Sequence, residues 1–313
     1  MPVDATLALG DLQLELGGVI PAAQLAYRTH GALALDRTNA ILFEHMYSGT
    51  PASLDPWIGE GRPLDPKRWF VICPGQLGNG VSSSPSTTDG SFAQLTIGDD
   101  VTAQQRLLCD LGIERLHLVL GFSMGAQQAY EWAVRYPEVV ERLATFAGLA
   151  RTTPANDLLV AAAAEALRSG GTAQHARFWA ATGLSSELFR REAWREAGFG
   201  SVCDLVTRLF EQDLALRHPA DLLAQLGKWR RADVSRHTGG DLGTALGAIS
   251  ARTAVNAFSH DGWFPATDCR IEQELIRGST FRLIDSPWGH YAWGITPAEV
   301  DQIDRGLDEL LAT

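Results

Sequence analysis

Residues 116–136 read LHLVLGFSMGAQQAYEWAVRY, and at their centre Gly121-Phe122-Ser123-Met124-Gly125 forms a G-x-S-x-G pattern. On composition alone such a match arises on the order of once in ten chains of this size, so five residues carry little by themselves. Their setting carries more. A short, continuously apolar run precedes the pattern and a helical pattern follows it, the strand–turn–helix context in which a serine is lifted above a sheet. A turn that sharp strains the serine backbone and leaves no room for a Cβ at Gly121 or Gly125. It also sets the amide of Met124 at a helix N-terminus, where it can donate to an oxyanion.

A serine hydroxyl is a poor nucleophile until a base takes its proton. With this kind of elbow the acid and then the histidine follow the serine in the chain. Past the apolar run ending at Phe258 comes Ser259-His260-Asp261-Gly262-Trp263-Phe264-Pro265, and past the run ending at Ile284 comes Asp285-Ser286-Pro287-Trp288-Gly289-His290. Asp261 and His290 are thus expected at the C-terminal ends of strands, where the sites of open α/β sheets gather. The expected roles are His290 as general base towards Ser123 and Asp261 as the group that orients the imidazole. His260 stands in the wrong chain order, and Asp285 reads as a turn residue five positions before His290. Asp268 reads as a helix-start residue and His117 as a histidine within a strand. His45 reads as a hydrogen-bonded structural histidine, while His175, His218 and His237 default to the surface. A second oxyanion donor is expected from His45-Met46-Tyr47-Ser48-Gly49-Thr50, with the amide of Tyr47 paired to that of Met124.

These residues need a sheet to hold them. Strand-like runs fall at 12–16, 25–28, 40–43, 70–73, 116–120, 143–146, 253–258 and 280–284, several of them apolar throughout, as in strands covered on both faces. Helical patterns at 101–111, 126–136 and 297–311 alternate with the later ones, which indicates an α/β fold with a mostly parallel sheet flanked by helices. The first two runs lie too close for a crossover and read as an antiparallel hairpin at one edge. From 151 to 249 there are helical stretches without a convincing strand (161–167, 173–179, 187–196, 202–210 and 220–226). This is expected to be a helical lid inserted into a core made of 1–150 and 250–313. The stretch from Gly75 to Gly90, rich in Gly, Ser, Asn and Pro, reads as a surface loop.

Composition narrows the function. The 313 residues carry 37 acidic and 26 basic groups, a net charge of −11, which disfavours nucleic-acid binding because a phosphate-facing surface concentrates Lys and Arg. The longest apolar run, Leu158 to Ala164, falls far short of the roughly 18 residues of a membrane span. Cys73, Cys109, Cys203 and Cys269 have neither zinc-ligand nor disulfide-framework spacing. They read as buried free thiols of a reducing compartment. Met1–Gly10 lacks the basic and apolar stretches of a leader, so a cytoplasmic protein is expected.

Several segments together resemble the homoserine O-acetyltransferase family of α/β-hydrolase proteins. Trp57-Ile58-Gly59-Glu60-Gly61-Arg62-Pro63-Leu64-Asp65 is similar to that family's W-x-G-x-G-x-x-L-D segment. Phe70 to Pro74 with Leu77-Gly78-Asn79-Gly80 is similar to its next strand and glycine loop. Gly121 to Gln128 matches its elbow, Glu131-Trp132-Ala133 continues the helix, Asp261 to Pro265 fits its acid loop, and Ser286 to His290 matches its S-P-x-G-H. The resemblance implies an α/β-hydrolase fold, a triad on Ser123, Asp261 and His290, and a homodimer packed through the helical lid. It does not choose between acyl transfer from a CoA thioester and hydrolysis. Family members that use homoserine hold its carboxylate with an arginine on the first helix after the sixth strand. Aligning Ala150-Arg151 with the family's A-R start puts Ala164 at that position, inside the apolar run Ala161–Ala164, with Arg168 four residues on. Phe122 and Ala126 also replace usual glycines of the elbow. A lost charge-assisted anchor turns the expectation towards hydrolysis of a small, uncharged ester through an acyl-serine. No cofactor and no metal are then required. Phe122, Trp263 and Trp288, with Trp179 and Phe178, are the expected pocket walls. The alternative is an O-acyltransferase taking acetyl-CoA as co-substrate and a hydroxylated metabolite as acceptor.

Overall fold

A computed structural model describes residues 1–312. Eight strands form one sheet: β1 (Val3–Gln13), β2 (Val19–His30), β3 (Ala40–Glu44), β4 (Phe70–Pro74), β5 (Leu118–Phe122), β6 (Arg142–Phe146), β7 (Arg252–Phe258) and β8 (Thr280–Ile284). Their spatial order is β1-β2-β4-β3-β5-β6-β7-β8. β2 runs antiparallel to β1 and to β4, and all other neighbours are parallel. β3, β4 and β5 are buried at every position, which is what continuous apolar runs supply when helices cover both faces.

The first strand lies earlier than the sequence reading put it, at Val3–Gln13 and not at 12–16. Most of its side chains face solvent, so little hydrophobic patterning marks it. Its ladder to β2, from Val3 opposite Thr29 to Gln13 opposite Val19, holds it instead. The turn runs from Leu14 to Gly17, closed by the Gly17 amide on the Leu14 carbonyl, and it exits through Gly17 and Gly18, both at positive φ (90° and 92°), a conformation cheap for glycine alone. β5 is also shifted by two residues, because Leu116 pairs only as an isolated bridge to Val140.

Helices α1 (Ile97–Leu111) and α2 (Met124–Arg135) flank β5, and α2 begins directly at the elbow. Between β6 and β7 the chain is helical. α3 (Pro154–Gly183) absorbs two of the expected stretches, which meet at a kink where Gly171 leaves helical geometry (φ 64°). A Ser185-capped turn, a 202–214 segment with a central π-helical turn, and α4 (Pro219–Arg230) follow. α5 (Ala266–Glu274) leads from β7 to β8, and α6 (Pro297–Leu311) closes the chain.

The expected surface loop at 75–90 is exposed at 80–81 and over much of 86–90 but interior before and between them. Gln76, Leu77, Asn79, Ser82, Ser83 and Ser84 are all buried. The Ser82 and Ser83 hydroxyls accept the Ala26 and Gln24 amides of β2, so polar residues here replace missing sheet bonds and do not seek water. Of the four cysteines, all free, Cys73 and Cys269 are buried while Cys109 and Cys203 are exposed.

Candidate active site

Ser123 sits between β5 and α2 with φ 56° and ψ −119°, a strained backbone held by its own amide bonding the Phe146 carbonyl of β6 at 2.9 Å. The two flanking glycines are steric necessities. A Cβ on Gly121 would lie 2.2 Å from the Gly125 carbonyl oxygen, and one on Gly125 would lie 2.3 Å from the Glu44 carbonyl oxygen at the end of β3. That close approach brings the 45–50 loop beside the nucleophile.

The three separated side chains meet. The Ser123 hydroxyl lies 2.9 Å from His290 Nε2, and His290 Nδ1 lies 2.7 Å from Asp261 Oδ2. A carboxylate only accepts, so Nδ1 carries the proton and Nε2 is left to accept from the serine. The other Asp261 oxygen accepts the amides of Trp263 (2.7 Å) and Phe264 (3.0 Å), which fixes the carboxylate plane. Asp261, His290 and Ser123 are all nearly removed from solvent, so their mutual polarity is little screened. His290 depends on its loop. Gly289 takes φ 62°, and a Cβ there would press within 2.5 Å of the Gly183 carbonyl oxygen. Ser286 Oγ donates to buried Glu299 of α6 (2.6 Å) and accepts the Trp288 amide (3.1 Å), while Ser259 Oγ on the acid loop accepts the Ser286 amide (3.1 Å). The acid loop and the histidine loop are thereby pinned to each other.

The 45–50 loop is held by His45, a hydrogen-bonded structural histidine as its sequence setting suggested, and by partners on other elements that sequence reading did not single out. His45 is fully buried, with Nδ1–H donating to the Met46 carbonyl (2.8 Å) and Nε2 accepting from Asn79 (3.2 Å). Burial pushes it down to about 3, so it is a neutral structural imidazole. Gln76 donates to the His45 carbonyl and Gln225 of α4 accepts the Ser48 amide. Gln76 also accepts from Lys228 of α4, whose ammonium pairs with Asp100 at 2.5 Å, both side chains wholly buried. Burial pushes the Asp100 carboxyl up and the Lys228 amine down, each drawn back by the other's charge. A charge this deep tolerates burial only when paired and hydrogen-bonded. Its sequence signal was a lone Lys near the end of a helical stretch.

His175 also departs from the surface reading. It is fully buried on α3. Its Nδ1–H donates to the Ala163 carbonyl (2.8 Å), so Nε2 accepts both the Tyr47 hydroxyl (2.9 Å) and the Trp179 indole N–H (2.9 Å). Helix α3 therefore grips the very residue expected to supply an oxyanion amide. His237 bonds buried Glu131, and His218 caps α4 by accepting the Ala220 amide. His117 stacks on Trp69 at 4.5 Å beside Glu141, and His260 is exposed.

Ser123 and His290 open into a cavity of about 450 Å³ walled mainly by Met46, Tyr47, Trp57, Trp179, Phe210 and Tyr291. Trp179 was among the expected walls. Phe122, Trp263 and Trp288 are not on this surface. Phe122 packs inward against Phe43, Trp57 and Phe146. Trp263 stacks behind Trp179 at 4.1 Å, and Trp288 has no exposed surface. Strand-end aromatics bury most area by joining the core, so the wall comes from loops and from the helical segment between β6 and β7 instead. Phe178 packs edge-on against Trp263 and does not reach the cavity. Three arginines border the cavity, and each already has a carboxylate: Arg62 with Asp304, Arg208 with Asp204, and Arg217 with Asp213. Ala164 is buried, and Arg168 is half-exposed beside Glu165. Among the described residues no group of three or more His, Cys, Asp or Glu is placed to hold a metal ion. No described helix is long and apolar enough to cross a membrane.

A family model for the alpha/beta hydrolase fold matches residues 39–292. The chain is 44% identical to an ethyl acetate hydrolase of Pseudomonas veronii, over 97% of this chain and 94% of that protein. It is 39% identical to the solved acetylester hydrolase of Corynebacterium glutamicum, covering 99% of this chain and 96% of that one with a TM-score of 0.96. It is 32% identical to a homoserine O-acetyltransferase of Thermobifida fusca, over 96% of this chain and 91% of that protein.

Proposed function

This chain belongs to the alpha/beta-hydrolase family, and from that premise we propose that its Ser123, His290 and Asp261 carry out the hydrolysis of small, uncharged carboxylic esters through an acyl-serine. The chain is a carboxylic ester hydrolase. The observation that carries the residue assignment is the continuous relay from Asp261 Oδ2 through His290 to Ser123 Oγ, with contacts of 2.7 and 2.9 Å.

In the first half-reaction Ser123 Oγ attacks the ester carbonyl as His290 Nε2 takes its proton. The carbonyl oxygen gains charge and turns towards the amides of Tyr47 and Met124, preorganised by the 45–50 loop and by the start of α2. The tetrahedral adduct collapses, the C–O bond to the alcohol breaks, and the imidazolium gives its proton to the departing oxygen. Water then attacks the acyl-serine, losing a proton to the same Nε2, and Ser123 recovers that proton as the carboxylic acid leaves. Asp261 stays ionised throughout and stabilises the imidazolium. No cofactor enters this sequence. The paired arginines of the cavity support an uncharged substrate, since each is already neutralised by a carboxylate. Cytoplasmic residence, and a homodimer packed through 151–249, complete the proposal; exposed Leu158, Val202 and Leu216 on that segment give the second its support. Acyl transfer from acetyl-CoA is the less supported reading, since the identity to the acetyltransferase named above is 32% against 44% to the ethyl acetate hydrolase.

The test is to supply purified protein with ethyl acetate, with p-nitrophenyl acetate, and with acetyl-CoA plus homoserine. Ester turnover that falls by roughly 10⁴-fold or more in Ser123→Ala is expected. Product formed from the thioester with little ester turnover, or an undiminished rate in Ser123→Ala, would overturn the reading.

A further inference from the structure

Tyr291 follows His290 in the chain and presents a hydroxyl that no described residue uses. Its ring is gripped on several sides. Phe210 meets it edge-on at 4.7 Å and Trp293 at 5.5 Å. Opposite stands Gly183, the last residue of α3, where even a Cβ would come within 2.7 Å of the ring's Cε2. Helix α3 thus leaves out a side chain where the phenol needs room. The hydroxyl has no hydrogen-bond partner among the described residues, and it is not sealed away with the buried unpaired atoms. Since the residue lines the cavity that holds Ser123 and His290, the free hydroxyl faces that space. A polar group held rigid and without a protein partner, in a cavity walled mainly by aromatics, is free for a substrate group that can satisfy it.

Chemistry tells which part of the substrate lies there. The imidazole hands its proton to the departing oxygen, so the alcohol moiety leaves along the His290 side, while the carbonyl oxygen faces Tyr47 and Met124. The Tyr291 ring stands perpendicular to the imidazole, with centroids 6.1 Å apart. It therefore stands on the His290 side of the cavity, where the alcohol departs. We propose that Tyr291 is a specificity-determining residue of the alcohol subsite, donating a hydrogen bond to a second oxygen on the alcohol moiety. The preferred substrates are then short-chain esters of small oxygenated alcohols, such as diols, hydroxyketones or alkoxy alcohols, over esters of plain alkanols. This deepens the ester-hydrolase reading and rests on it.

The charges nearby agree with a neutral acceptor. Asp213 also lines the cavity, and with burial it holds the Tyr291 phenol well above its ordinary range, so the hydroxyl stays a donor. Arg217 is occupied by Asp213, and an alcohol bearing its own carboxylate would meet that anion without a free cation.

Propyl acetate and 2-hydroxyethyl acetate have the same number of heavy atoms and differ in ending on a methyl or a hydroxyl. Their kcat/KM ratio is measured for wild type, Tyr291→Phe and Gly183→Ala. Wild type is expected to favour the hydroxy ester. One neutral hydrogen bond is then lost in Tyr291→Phe, lowering the ratio about three- to tenfold, whatever the absolute rates. Gly183→Ala, which pushes the ring while keeping the phenol, lowers it in the same direction. A ratio unchanged within twofold in both variants, or no wild-type preference, overturns the proposal while propyl acetate turnover leaves the ester-hydrolase reading standing. Failure of wild type to cleave either ester overturns both.

Discussion

Replacing Asp261 by Asn tests the relay at the point where the structure constrains the outcome most. One Asp261 oxygen accepts two backbone amides and the other accepts His290 Nδ1–H. An Asn side chain has one acceptor and one donor end. With its oxygen kept on the amides of Trp263 and Phe264, its NH₂ faces Nδ1, and the imidazole must move its proton to Nε2, where it can no longer accept from Ser123. The flipped Asn restores the productive tautomer but turns an NH₂ against two buried N–H groups. At about 1–3 kcal/mol for each donor left unsatisfied, the flip costs about 2–6 kcal/mol, so the productive form is disfavoured by about 30-fold to 3 × 10⁴-fold. Loss of the charge opposite the imidazolium adds to this. The expected result is a kcat for p-nitrophenyl acetate lowered by about 10²- to 10⁴-fold, with a melting temperature showing a folded protein. A folded Asp261→Asn that keeps more than a tenth of the wild-type kcat would refute the reasoning. Asp285→Asn serves as the control, since Asp285 is exposed and outside the relay.

Two further outcomes probe the supports of the site. His175→Phe removes the acceptor shared by the Tyr47 hydroxyl and the Trp179 indole, and two stranded buried donors predict a loss of about 2–4 kcal/mol in urea unfolding; a loss under about 1 kcal/mol would show that the bonds are unimportant. Glu272, buried on α5 where it accepts the Ala150 amide at 2.6 Å and the Arg151 amide at 3.3 Å, is pushed up to about 8 by burial, from an ordinary 4.5. The folded protein then keeps a proton that the unfolded chain releases, so this group's contribution declines as pH rises from about 4.5 to about 8. Glu272→Gln removes the titration and should gain stability relative to wild type across that window, by up to about 1.4 kcal/mol per pH unit. Parallel pH profiles of the two proteins in denaturant melts would contradict this.

The convergence of Ser123 and His290 was legible because each sits where local sequence is constrained. Ser123 is bracketed by glycines that a strand and a helix forbid to be anything larger, and His290 follows a glycine with positive φ. β3 and β4 were legible because burial at every position makes them largely apolar, whereas β1 has a wet face and was misplaced. The pocket was not legible. Nothing in a sequence tells whether an aromatic beside the nucleophile faces the ligand or the core, and Phe122, Trp263 and Trp288 all chose the core. His175 and Lys228 were equally hidden, because a polar residue on a helix reads as solvated until its partners, more than a hundred positions away in the case of Lys228 and Asp100, are brought to it.

β6 and β7 are side-by-side strands, and Asn256 reaches the Thr145 carbonyl across 111 positions of sequence. The whole helical segment is made between them. During synthesis at roughly 5–20 residues per second, β6 therefore waits about 5–20 s with its edge unpaired, offering a template for a stray strand. Asp261 and His290, which both lie beyond β6, arrive later still. The interval in which the β6 edge stands open is thus also one in which Ser123 has neither His290 nor Asp261 beside it.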